Sequence, residues 1–509
     1  MKEQSFTLFS YIPKTLFSFA SEWSTLKHLS RVQSGVVASL VWAHCDSKKA
    51  YIHASGRGFF IESRKLRDAL GKNYLDILSK SGLVTFDSEY DYKAKQTRRY
   101  ELTQLAHDFI DRYHSLNNKK GTLVAVKING AIEKQRKPRQ AVLSRDSAGN
   151  HSKNKLRINP VVRIDTDSLE SLRKALAAHK DRLLHGVAPY HLTDEYRLIG
   201  EAIANKPNDK AIDYVLRRFN QTAKLIHLAT SNIELPDGCI FQMYQECVTG
   251  RLYGYSEHLQ NAPREVRHAA LNGQYDYDFD NCHYAILHQL AQKLNIHTPH
   301  ITEYLQHKRF HRARLANELG VSEKVIKRCL IALIYGAALK TKPYSRRTSS
   351  GEIKKESPAI RNVLGEYKAT TLINDAFFAG LSRDIKQAGK AVIESYRNPS
   401  NGKLINALGK SNKISKNNSG KDKGVLVSDP LAHILQGYEA KMLSVAVELF
   451  GDKITLLQHD GFTSPDKALD VKLLSSEIEK QTGLSMTLTI ERIGLAKIQK
   501  VASPLSLVA

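Results

Sequence analysis

No run of eighteen apolar residues occurs anywhere in the 509-residue chain, so no segment has the length and apolarity that a membrane-spanning helix requires. The first ten residues lack the basic, apolar and small-residue order of a secretory signal, and the expected compartment is the cytoplasm. Cysteine is scarce. Cys45, Cys239, Cys247, Cys282 and Cys329 are odd in number and without zinc-ligand spacing, which argues against a disulfide framework and against a structural zinc. Acidic residues are also in short supply: 51 Asp and Glu stand against 76 Lys and Arg, a net charge of +25. Such an excess attracts a polyanion and steers its approach, with nucleic acid the leading candidate. A membrane surface would use the same charge, but no strongly amphipathic basic helix or lipidation signal accompanies it, so no membrane partner is expected. The plain alternative is an excess of lysine that only keeps the protein soluble.

With 42% hydrophobic residues, the chain can bury several cores, and its length suggests two to four domains. No internal repeat or heptad array is evident. From Leu26 to Tyr113 the pattern reads as a winged helix, within a domain covering residues 1–115. Helices are expected over Val36–His44, Ser63–Leu70 and Asn73–Ser81, and strands over Leu83–Phe86 and Arg98–Leu102. Asp87–Thr97 would form the wing tip between the strands, and a helix is expected from Gln104 to Tyr113. Lys72, Arg98 and Arg99 place positive charge where phosphates would lie. A small helical adaptor that binds a protein partner is the other reading of this region.

Residues 116–160 are rich in Lys, Arg, Asn, Ser and Gly and read as a mobile basic linker. Helical periodicity returns over Asp167–Leu184, Thr193–Ala204 and Ala211–Thr230, within a helical region covering 161–248. A second lysine-rich stretch, Gly402–Gly424, reads as an exposed loop able to track a phosphate backbone.

Two strands end in aspartate. Tyr275-Asp-Tyr-Asp-Phe-Asp280 runs into a helix over Asn281–Leu294, and Ile454-Thr-Leu-Leu-Gln-His-Asp460 is followed by Gly461. Carboxylates from separate strands are the usual holders of two magnesium ions about 3.5–4 Å apart, which stabilise the charge that develops in nucleotidyl transfer. Either strand alone is a weak signal, because such aspartates often cap a following helix. Between them, a helix over Glu323–Tyr335 carries Lys327, Arg328 and Tyr335. Lys327 and Tyr335 are eight residues apart and so lie on nearly one face, where a cation and an aromatic ring could grip a triphosphate and support its base. Taken alone, such a helix is more often an ordinary amphipathic helix with a solvated basic edge.

These residues resemble a family. Thr249-Gly-Arg-Leu-Tyr-Gly-Tyr-Ser-Glu-His-Leu-Gln-Asn-Ala-Pro263 is similar, without a gap, to the T-G-R-L-S-S-S-x-P-N-L-Q-N-I-P segment of family A DNA polymerases. The stretch from Asp278 to Ala291 resembles their motif A. Gly320–Gly336 resembles motif B, and its Lys-Arg pair and Ala-Leu-x-Tyr-Gly ending look closest to phage-type single-subunit RNA polymerases. Leu457-Gln-His-Asp460 resembles motif C, Ile434-Leu-Gln-Gly437 the segment that precedes it, and Met486–Gly494 the last palm strand. The segments occur in the family's order from Thr249 to Gly494.

The resemblance implies an α+β right-hand polymerase: palm and fingers over 249–509, a short helical thumb within 161–248, and the winged helix in front. It implies that Asp278 and Asp460, completed by the Phe279 carbonyl, hold two Mg2+ ions, with Mn2+ as a substitute. Lys327 would contact the triphosphate and protonate the departing pyrophosphate, and Tyr335 would stack near the nascent pair. Arg251 and Gln436 would contact the minor groove of primer or template, with His459 beside the growing end. Asp276 and Asp280 are neighbours that raise the negative potential.

Three departures stand out. Glu323 occupies the helix position where these families carry an arginine, leaving Lys324 or Arg328 to compensate in triphosphate binding. Ile331 replaces a phenylalanine. His283 stands where family A DNA polymerases use a glutamate to exclude a 2′-hydroxyl, and an imidazole can either block ribose or bond to it. The expected activity is a DNA-directed DNA polymerase of a plasmid, phage or other mobile element, with nucleoside triphosphates and a DNA template or primer–template as partners. A single-subunit RNA polymerase or primase, with RNA as a further partner, and an inactive winged-helix DNA-binding replication protein are the alternatives. The amino-terminal half offers no acidic constellation for a proofreading nuclease, and none is expected.

Overall fold

The computed structural model describes residues 7–45, 59–60, 63–86, 99–117, 122–127, 129–134, 142–143, 158–185, 208–232, 235–255, 258–337, 339–347, 353–413 and 428–494. Among these residues the apolar side chains gather in two cores. None of the described helices is long and apolar enough to cross a membrane.

The first core is centred on the helix Arg31–His44. Ser30 starts it with a capping box: Ser30 Oγ accepts from the Gln33 N–H, and Gln33 Oε1 accepts from the Ser30 N–H, both at 3.2 Å. The run Val36–Trp42 is buried, and Gly35 lets the Phe17 ring lie against the helix backbone, since a Cβ there would stand 2.0 Å from Phe17 Cδ1. Helices Ser63–Leu70 and Tyr74–Ser81 follow, then a three-stranded antiparallel sheet in the order Phe59–Phe60, Arg99–Leu102, Val84–Phe86. The strand Phe59–Phe60, too short to show alternation, is one that sequence periodicity does not reveal. Helix Gln104–Leu116 closes the unit, capped by Thr103 Oγ1 accepting from the Ala106 N–H at 3.2 Å. The expected wing tip, Asp87–Thr97, lies outside the described residues.

Part of the stretch read as a linker is structured. Leu123–Lys127 pairs with Thr7–Pro13 on one side and Ile132–Lys134 on the other, and Leu123, Val124, Ala125 and Val126 are buried. Burial of a Val or Leu side chain is worth about 1.5–3 kcal/mol, so a short apolar run becomes a strand despite its lysine-rich surroundings.

Helix Asn208–Ser231 joins the two cores. Its Asn220 Nδ2 donates to the Cys45 carbonyl at 3.1 Å, and the buried Lys224 Nζ donates to the Trp42 carbonyl at 2.8 Å. It packs against helix Thr166–Leu184, whose Leu169, Leu172, Leu176 and Leu183 recur at helical spacing and are buried. The helix expected over Thr193–Ala204 lies outside the described residues.

The second core surrounds a four-stranded antiparallel sheet, in the order Leu456–Leu457, Gly461–Ser464, Tyr275–Phe279, Leu488–Arg492. Strand geometry sends alternate side chains to opposite faces. Tyr277 and Phe279 are therefore buried, with Tyr277 stacked on Phe462 of the next strand at a centroid distance of 5.0 Å and an interplanar angle of 3°. Asp276 and Asp278 take the other face. Helices Cys282–Lys293, Pro299–Leu319, Glu323–Ile334, Ala376–Ser395 and Ser428–Phe450 pack around it with several shorter helices, and the Tyr284 hydroxyl donates to the Leu330 carbonyl at 2.8 Å. The root of the second lysine-rich stretch is a hairpin, Lys403–Ile405 with Ser411–Lys413. It is held by the buried Asn406, whose Nδ2 donates to the Thr249 carbonyl at 2.9 Å. Residues 414–424 of that stretch lie outside the described residues.

Candidate active site

Asp278 and Asp460 come together through the sheet. Asp278 pairs in register with Gly461, and the Phe279 N–H donates to the Asp460 carbonyl at 2.8 Å. Asp460 does not end a strand, as its sequence suggested. It sits in the tight turn of a hairpin between Leu456–Leu457 and Gly461–Ser464, closed by the Gln458 N–H donating to the Gly461 carbonyl at 2.8 Å. Gly461 begins the second strand. Its missing side chain is what lets the strands approach here: a Cβ would lie 2.2 Å from the Tyr277 carbonyl oxygen and 3.0 Å from the Asp278 Cα. Because both obstacles are backbone, Gly461→Ala is expected to cost about 2–3 kcal/mol and to displace Asp460. Thermal unfolding and activity, measured together, should both fall.

The strand ends by turning into helix Cys282–Lys293 through Asn281, whose φ of +46° is left-handed. Asparagine tolerates that region better than other residues with a Cβ. Of the three aspartates along this stretch, two are engaged: Gln458 Nε2 donates to Asp276 Oδ1 at 2.6 Å, and Lys308 forms an ion pair with Asp280. Asp278 lies between them. Burial pushes its carboxyl up, and the charges of Asp460 and Asp276 push it further, to about 8, while Lys327 pulls the other way. A carboxyl raised by neighbouring carboxylates gains strongly from a divalent cation, and oxygen donors suit magnesium. Among the described residues no group of three or more His, Cys, Asp and Glu side chains converges on one point. Magnesium needs no more than one or two carboxylates when waters and substrate phosphates complete its shell. Arg267, on helix Arg264–Ala270, also faces this acidic cluster, with Asp276 and Asp460 both acting on it. Sequence reading passed it over because nothing local distinguishes it.

Helix Glu323–Ile334 carries Lys324, Lys327, Arg328 and Ile331 along one exposed stripe, opposite the buried Ile326, Cys329, Leu330 and Leu333. Ile331 is 45% exposed. Tyr335 caps the helix and is half-buried. Glu323 falls in the first turn, where a carboxylate offsets the partial positive charge of the helix N-terminus. That placement gives a local reason for its departure from arginine.

Behind the stripe is a buried polar network. Arg251 is only 9% exposed and donates through Nε to Glu439. Its Nη2 lies 3.2 Å from His283 Nε2 and donates to the Tyr335 hydroxyl at 3.4 Å, and that hydroxyl is 2.8 Å from His283 Nδ1. Gln436 also acts on the Tyr335 hydroxyl. Thus Arg251, His283, Tyr335 and Gln436, picked out from four separate stretches of sequence, meet in one place, with Arg251 turned inward. Glu439 at their centre was missed. A lone acid within the apolar run of helix Ser428–Phe450 was the available signal. His459 lies at the edge of this region, its ring 4.8 Å from that of Tyr253. Its Nδ1 is buried without a hydrogen-bond partner among the described residues. Burial and the charge of Arg251 hold its pKa below the usual range.

In the first unit, Lys72 is exposed in the turn between Ser63–Leu70 and Tyr74–Ser81. Arg99 lies in its expected strand, and Arg98 lies outside the described residues.

No family model matches the chain, and no curated protein does. Among solved structures, the chain is similar to the POL domain of Pol1 from M. smegmatis in complex with DNA primer-template and dNTP. The two are 14% identical over 66% of this chain and 67% of that one, with a TM-score of 0.43.

Proposed function

We propose that the chain is a template-directed nucleic-acid polymerase, in the first place a DNA-directed DNA polymerase. The observation that carries this reading is the juxtaposition of Asp278 and Asp460 across one strand pair, with the charge of Lys327 acting on Asp278. Asp278, Asp460 and the Phe279 carbonyl would hold two divalent cations, Mg2+ or Mn2+, which when bound stabilise charge on the attacking and leaving oxygens. The chain's own residues position the rest. Lys324, Lys327 and Arg328 run along the exposed stripe and bind the triphosphate, and Lys327 gives its proton to the departing pyrophosphate. Eight residues of helix span about 12 Å, so a triphosphate held at Lys327 brings its base towards Ile331 and Tyr335. Its sugar then lies against His283. Gln436 and His459 border the duplex end, with Arg251 supporting them from within.

The first unit is read as a winged helix that uses Lys72, Arg98 and Arg99 to bring the enzyme to an origin, a primer or a protein partner, as suits a plasmid, phage or other mobile element. Its electrostatic contacts should weaken steeply with salt.

The RNA polymerase or primase reading rests on the Lys327-Arg328 helix, whose pattern looks closest to phage-type enzymes, and the imidazole of His283 leaves sugar choice open. Extension of primed and unprimed templates, with deoxy- and ribonucleotides supplied separately, tests both readings. Primer-dependent incorporation of deoxynucleotides is the expected result. Incorporation of ribonucleotides alone would favour the second reading, and no incorporation under any combination would end both.

A further inference from the structure

Glu439 lies three residues past Gln436 on the helix Ser428–Phe450 and is 1% exposed. A carboxylate in such a setting is costly unless charged, hydrogen-bonded partners meet it. Two do: Arg251 donates Nε to Oε2, and His283 Nε2 lies 3.4 Å from Oε1. Burial alone would raise the Glu439 pKa, and His283 and Arg251 together reverse that and hold it below the usual range. Both partners then act on Tyr335. The His283 and Tyr335 rings stand edge to face at 5.3 Å and 89°, and the hydroxyl is within reach of His283 Nδ1, Arg251 Nη2 and Gln436.

We infer that Glu439 is a positioning residue that sets which sugar the site accepts, by holding His283 and Tyr335 bonded to each other. The inference rests on the polymerase reading, which lays the nucleotide's sugar against this pair. Glu439 Oε1 and Arg251 Nη2, the latter anchored on Glu439, both meet His283 Nε2, and this turns Nδ1 to the Tyr335 hydroxyl at 2.8 Å. The tyrosine oxygen in turn accepts from Arg251 Nη2 at 3.4 Å, and Gln436 acts on it as well. A wall whose polar groups already satisfy one another offers nothing to a 2′-hydroxyl, which would lose its water without a replacement bond. Deoxynucleotides are therefore favoured. Neutralising Glu439 weakens the hold on Arg251 and on Nε2, lets the imidazole leave the tyrosine and frees the tyrosine hydroxyl to bond a ribose.

The test measures kcat and KM for single deoxy- and ribonucleotide incorporation on a primed template, in wild type, Glu439→Gln, His283→Ala and the double variant. Equilibrium displacement of a fluorescent nucleotide reports affinity alongside. Wild type should favour the deoxynucleotide, and Glu439→Gln should reduce that preference about tenfold or more, chiefly through a lower ribonucleotide KM. In the His283→Ala background Glu439→Gln should add nothing, a coupling that a merely structural role would not produce. An unchanged preference in a folded, active Glu439→Gln protein overturns the inference, as do independent, additive effects of the two substitutions. Should Glu439→Gln fail to fold, His283→Gln takes its place, with the same expected loss and the same contradiction. A wild-type protein that incorporates neither sugar would instead defeat the polymerase reading, and this inference with it.

Discussion

Replacing Asp278 or Asp460 with alanine should lower divalent-cation-dependent primer extension by about a thousandfold or more, because on the proposed reading each carboxylate would hold cations that the transition state requires. Duplex binding should change little, since affinity for the phosphate backbone comes from the basic surface. Asp278→Asn adds a sharper signature. The ordinary carboxylate value is 3.8, and burial together with Asp460 and Asp276 raises Asp278 to about 8. In an acid with a raised folded pKa, the charged form opposes folding. That opposition is absent below about pH 4, grows as pH rises and is complete above about pH 8. The metal-free Asp278→Asn protein should therefore be more stable than wild type at pH 8, by at least about 2 °C in Tm, with the difference vanishing towards pH 4. A site residue whose loss stabilises the fold is one held for chemistry. Equal Tm values at pH 8 would show that no such opposition exists.

Lys327→Ala should reduce kcat by about a hundredfold, while template affinity falls by only a fewfold. Lys327 lies on the exposed stripe, so its removal leaves no cavity, and its charge already acts on Asp278. Lys324→Ala, one turn nearer the helix start, should act mainly on nucleotide KM. Rapid-quench incorporation on a saturating primer–template separates the two, and a Lys327→Ala effect confined to template binding would remove it from the chemistry.

Local patterns in the sequence carried far because the features they report are local. The strand read over Tyr275–Asp280 is found over Tyr275–Phe279, and helical spacing delimited Glu323–Ile334 and Thr166–Leu184 to within about one residue. What escaped depended on distant partners. The turn that holds Asp460 exists because Gly461 can approach the Tyr277 carbonyl across the sheet, a contact no local window contains. Leu123–Lys127 is a strand because Thr7–Pro13 pairs with it from over a hundred residues away. Arg251 read as a groove residue from its motif, yet its partner is Glu439, 188 positions on. Buried ion pairs of this kind leave only one trace in sequence, a charge inside an apolar run.

The central claim is that Asp278 and Asp460 share divalent cations with an incoming nucleotide. Electron paramagnetic resonance titration with Mn2+, in the presence of primer–template and a non-hydrolysable triphosphate, counts those ions directly. About two tightly held ions per chain are predicted for wild type, with both lost or greatly weakened in the Asp278→Asn/Asp460→Asn double variant. The same ion count and affinity in wild type and double variant would contradict the account.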